Sequence, residues 1–200
     1  MKNNVKGFLG ASKKFVLPAL IAVVALSFLY HFLIICVYGN VIGGLFSILL
    51  ETGFFALILV FWLMKKDKLV EYLFWIYFAY YLMSNLYALP GIFGIGGPFG
   101  DVLYDLLTYT AILVTAAIGV FFVIEKYKGE SKCNGFINCL AIIMLCLKTV
   151  AFIVYFINVF ALKGYLWTGI FNSLFDIAIV FFFITYVNKD RANAVKLEKE

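Results

Sequence analysis

Residues 135–162, GFINCLAIIMLCLKTVAFIVYFINVFAL, and residues 165–187, YLWTGIFNSLFDIAIVFFFITYV, each carry one formal charge, Lys148 and Asp176, in the middle of a continuous apolar run. Each run is long enough to cross the roughly 30 Å of bilayer hydrocarbon as a helix. A charge at that depth is costly on its own, so Lys148 and Asp176 need partners. The reading of these two stretches as helical spans decides the fold class.

Four more runs of the same kind precede them, at 15–38, 41–64, 69–89 and 102–124. Membrane barrels alternate apolar and polar residues in short segments, whereas these runs are apolar throughout, so helices that satisfy their own backbone are expected. The chain is 65% hydrophobic and 14% charged, far from a soluble mixture, and leaves no stretch for a separate soluble domain. The expectation is an all-α, polytopic integral membrane protein: one six-helix bundle over 15–187, a basic N-terminus at 1–14 and a charged tail at 188–200. The first run is too long for a secretory signal, and neither terminus carries a lipidation motif.

Six spans put both termini on one side, and the distribution of basic residues says which. The N-terminus, the 65–68 and 126–132 breaks and the tail hold fourteen of the sixteen Lys and Arg residues. By the positive-inside rule that side is cytoplasmic. The net charge of +5 thus reports orientation rather than nucleic-acid binding. Short loops and the wealth of Phe, Ile and Lys suggest a bacterial inner or plasma membrane.

Depth and helical spacing then select candidate residues. At 1.5 Å per residue, Glu51, Lys148 and Asp176 all lie roughly 18–20 Å from the inner ends of their spans, with His31 and Asn85 slightly higher at roughly 24–25 Å. Asn40, Gly44, Ser47 and Glu51 form one stripe at i, i+4, i+7 and i+11. Gly169, Asn172 and Asp176 form another, Lys148 shares a face with Tyr155, Ser27 with His31, and Tyr77 and Tyr81 with Asn85. A polar pocket in the outer half of the bundle is expected, built from Glu51, Lys148, Asp176, His31, Asn85, Asn172, Tyr81 and Tyr155. With two acids beside one base, a carboxylate there is free to exchange a proton or hold a cation. The structural alternative is that Lys148 pairs with Asp176 or Glu51 only to fix packing, and that His31 is a hydrogen-bonded packing residue.

Other classes of chemistry find no support. The segment 90–100, PGIFGIGGPFG, lacks the Lys-Ser/Thr of a phosphate loop and reads as a turn or lid. Four cysteines show no metal or redox spacing, one histidine excludes a bis-histidine haem, and no protease or transferase signature is present. No catalytic residue, metal or cofactor is expected. Three functions remain: a transporter or substrate-binding membrane component for a small polar solute; a non-catalytic partner of another membrane protein, such as an assembly factor or immunity protein; and an ion or proton channel. Six spans, about 200 residues and cytoplasmic termini resemble the substrate-capture subunits of energy-coupling-factor vitamin importers in size and topology. The first run carries Ala19, Ala22 and Ala25 in place of the Ala-x-x-x-Ala pattern those subunits offer their partners.

Overall fold

A computed structural model describes residues 12–128, 133–162 and 167–189. The basic stretch 1–11, the break at 129–132, residues 163–166 with the expected Lys163-Gly164 connection, and the tail 190–200 lie outside the described residues. Every described element is helical: α1 (Ser12–Tyr38), α2 (Val41–Ser47), a π-turn (Ile48–Thr52), α3 (Gly53–Leu63), α4 (Asp67–Ala88), a 3-10 turn (Leu89–Gly94), α5 (Phe99–Lys128), α6 (Cys133–Ile157), a second π-turn (Asn158–Leu162) and α7 (Thr168–Val187). The π-turn joins α2 and α3 into one rod over Val41–Leu63.

Among the described residues five helices are long and apolar enough to cross a membrane: Lys14–Tyr38, Val41–Leu63, Phe99–Phe121, Gly135–Phe160 and Thr168–Val187. The remaining expected span, α4, is 22 residues long but is of a different kind. Asp67, Lys68 and Glu71 crowd its first turns, and much of its remaining surface is tyrosine and tryptophan. Tyr77 and Tyr81 are buried, while Tyr72, Ile76, Tyr80, Met83 and Tyr87 share an exposed side. Segment 90–100, expected as a loop, is partly ordered: the 3-10 turn sets Gly91 against the Tyr109 hydroxyl, where any side chain would collide. Gly97, at φ +114°, then lets the chain enter α5 three residues earlier than the sequence suggests.

The chain divides into two compact units. The first comprises residues up to Val70 and from Ala178 onward. Its core is a stripe on α1, Val16, Leu20, Val23 and Ser27, together with Phe55, Ile58, Ile179 and Phe182. Rings lock the helices edge to face: Phe55 on Phe182 at 6.3 Å and Trp62 on Tyr186 at 6.2 Å. The Lys189 ammonium caps this end, 3.7 Å from the centre of the Tyr186 ring. At the hairpin turn Asn40 accepts from the Gly43 amide, and Gly39 takes the positive φ. Gly44 is buried against Ile35, so α1 and α2 approach closely.

The second unit spans Glu71–Ile177 and is dominated by an antiparallel pair, α5 and α6. Four contacts define its register. Gly100 backs onto the Asn158 side chain, and Tyr104 meets Tyr155 at 5.3 Å between ring centres. Further along, Thr115 donates to the Met144 sulfur at 2.9 Å, and Phe121 meets Phe136 at 4.9 Å. On α6 the inward residues Met144, Lys148, Ala151, Tyr155 and Asn158 recur every three or four positions, as one helix face requires. The interface changes character along its length: polar from the Gly100 end to Lys148, and richer in apolar side chains from Met144 to Phe136, where Thr115 and Asn138 are still buried polar groups.

The glycine at the first hairpin is a direct test of this packing. Gly44→Leu drives a side chain into Ile35 and towards the His31 carbonyl, and is expected to destabilise by about 1–3 kcal/mol. Gly94→Ala, where a Cβ meets nothing within 4 Å, is its control. Thermal unfolding in detergent compares the two, and equal midpoints would contradict the α1–α2 contact.

Candidate functional site

Helical periodicity places Lys148 on the buried face of α6, and α7 presents Asp176 to it. The Lys148 Nζ donates to Asp176 Oδ2 at 2.8 Å. The two ends are unequally covered: the lysine side chain is 11% exposed and the aspartate 30%, so the pair opens on its carboxylate side. An ion pair this close regains part of the desolvation cost that either charge would bear alone.

Tyrosines surround the pair. The Tyr104 hydroxyl lies within hydrogen-bonding reach of the Thr108 and Ser173 side chains, and both Tyr104 and the buried Tyr81 feel the charges of Lys148 and Asp176. Tyr155, two stripe positions above Lys148, points its hydroxyl at Gly169 on α7, where any side chain would collide. The glycine is thus what admits a tyrosine between α6 and α7. The second unit presents a cation, an anion and several phenol groups within one interface, a set able to bind both ends of a small zwitterion or the hydroxyls of a polar solute.

Other expected members are placed differently. Asn85 turns back on its own helix, donating from Nδ2 to the Tyr81 carbonyl at 2.7 Å. Asn172 is exposed rather than facing the pair. Glu51 belongs to the first unit, where its partner is His31: Nε2 and Oε2 are 2.7 Å apart. The two acids and the base of the expected trio thus take part in two ion pairs, His31–Glu51 within the first unit and Lys148–Asp176 within the second.

The π-turn explains the position of Glu51. In an unbroken helix Glu51, at i+7 from Gly44, would face α1 directly. The Gly53 amide instead bonds to the Ile48 carbonyl, five residues back, which inserts one extra residue into the turn. Thr52 then takes the inward position and pairs with Ser27 at 2.8 Å, while Glu51 is left on the flank, reaching across to His31. Tyr104, Ser173 and Thr52 were not singled out in the sequence. For Tyr104 a signal existed, since Gly100, Tyr104 and Thr108 fall at i, i+4 and i+8. For Thr52 none did, because a π-turn leaves no pattern in residue types.

Among the described residues no three His, Cys, Asp or Glu side chains converge as a metal site, and Cys36, Cys139 and Cys146 are free thiols. No family model matches the chain, and comparison with curated proteins and with solved structures returns no match.

The ion pair is testable by a double-mutant cycle. Lys148→Met leaves Asp176 uncompensated and is expected to cost up to about 3–5 kcal/mol, as is Asp176→Asn with the lysine left behind. Together the two changes remove both charges and should restore most of the loss. Strictly additive losses in thermal or denaturant unfolding would show that the pair is not coupled.

Proposed function

We propose that this chain is a multi-pass transport protein, or the substrate-binding membrane component of a transporter, and that it captures a small polar or zwitterionic solute at Lys148 and Asp176. One observation carries the reading. The ion pair lies part-way along the α5–α6 interface, with Tyr104 and Tyr155 on one side and the Met144 side chain and the Phe121–Phe136 ring contact on the other. Such an interface suits entry from one side. It does not suit a continuous pore, which weighs against a channel.

The topology of this reading has six spans, with the aromatic α4 as the third, and both termini in the cytoplasm of a bacterial cell. The polar half then faces outward. Lysine-rich breaks on one side support that orientation. Cys36, exposed near the end of α1, should react with a membrane-impermeant maleimide in intact cells when it is the only cysteine present. Labelling only after the membrane is opened would reverse the orientation.

A second reading has its own support. Both mid-membrane acids already have partners within their own unit, as expected of a protein whose charges specify packing for assembly with another membrane protein. The solute reading separates from it by ligand-dependent stability, since a ligand that binds only the folded state adds RT ln(1 + [L]/Kd). At a concentration one hundred times Kd the gain is about 2.7 kcal/mol. A selective rise in melting temperature within a panel of amino acids, vitamins and other small zwitterions, lost in Lys148→Met and weakened in Tyr104→Phe, is the expected result. A cooperative melt indifferent to the whole panel would instead favour the partner-protein reading.

A further inference from the structure

The first unit contains a second acid–base pair that the solute reading does not use. His31 and Glu51 join α1 to the π-turn at mid-span, and about 15 Å of helix separates Glu51 from the start of α2. The imidazole is the buried member, with 11% of its side chain exposed, while the carboxylate retains 28% and reaches the surface of the unit. Beneath them Ser27 and Thr52 bond to each other, so both helices are pinned one turn away from the pair. The π-turn is the device that holds the carboxylate on the flank instead of inside the contact, and single π-turns within α-helices recur at functional sites.

We propose that His31 and Glu51 form a proton-exchange site, in which the His31 imidazole takes the proton at Nδ1 and the Glu51 carboxylate on Nε2 supplies the charge that holds it. The bookkeeping of the hydrogen bond permits it. With one proton between them, on Nε2, the imidazole is neutral, Nδ1 is bare, Glu51 is ionised and the pair carries a net charge of −1. A proton arriving from water leaves Nδ1 protonated and the pair at net charge zero, either as imidazolium and carboxylate or as neutral imidazole and carboxylic acid. The Nε2–Oε2 hydrogen bond persists in every form, so the site loads and unloads without parting the hairpin.

Few other groups compete for the proton. On α1 the neighbouring titratable side chains are Tyr30, whose ring centre is 5.0 Å from that of His31, Cys36 and Tyr38. Glu51 is the one ionisable group between Val41 and Met64, and the half of α7 in this unit contributes Tyr186. Among the described residues of the unit the other charges, Lys14, Lys65, Lys66, Asp67, Lys68 and Lys189, sit at or beside helix ends.

His31 is the single histidine of the chain, which makes the test direct and independent of any solute. The full-length protein, carrying an affinity tag without histidine, is labelled with 15N-histidine, placed in lipid nanodiscs and followed by NMR from pH 5 to 9. The Nδ1 resonance should pass from bare to protonated across this range, and its midpoint should move at least tenfold in proton concentration in Glu51→Gln. Glu51→Asp, which keeps the charge, serves where the glutamine variant folds poorly and should displace the midpoint less. An Nδ1 signal unchanged from pH 5 to 9 would make the pair purely structural. A midpoint identical in wild type and Glu51→Gln would mean that the imidazole titrates alone, and either result overturns the proposal.

Discussion

A polar side chain surrounded by hydrocarbon must find a partner inside the protein, and both units are built around meeting that demand. Hydrocarbon does not solvate Lys148, Asp176, His31 or Glu51 at the middle of an apolar helix. Each is instead held within 2.8 Å of its partner. The surrounding sequence serves these contacts: Gly44 lets α1 and α2 come close, Gly169 admits Tyr155, and the π-turn carries Glu51 to the flank.

Small residues and hydroxyls do most of the positioning. Between apolar helices in lipid the hydrophobic effect offers little, so close packing and interhelical hydrogen bonds decide which faces meet. The α5–α6 pair shows both, with Gly100 against Asn158 at one end and Thr115 bonded to Met144 further along. Aromatic rings fill the rest. Their edge-to-face contacts in the first unit fix rotation about the helix axes, which the smooth apolar sides of α1 and α7 would otherwise leave undetermined.

The two pairs differ in a way that matters for chemistry. Lys148 and Asp176 join an ammonium group, which can only donate, to a carboxylate, whereas His31 and Glu51 join a carboxylate to an imidazole, which can both donate and accept.

Much of this was legible in the sequence. Run length and composition determine the all-helical class, and the isolated charges at Glu51, Lys148 and Asp176 announce that partners are needed, because hydrocarbon does not solvate an ionisable residue. Stripe spacing puts Ser27 and His31 on one face of α1, and both are buried. Tertiary structure alone decided the pairing. Residue types do not say that one extra residue in the turn at Ile48–Thr52 rotates Thr52 inward and gives Glu51 to His31, nor that Asn172 faces outward while Gly169 on the same stripe faces Tyr155. A helix declares its period in sequence, but a partner is chosen by rotation and register, and these depend on contacts between segments far apart in the chain.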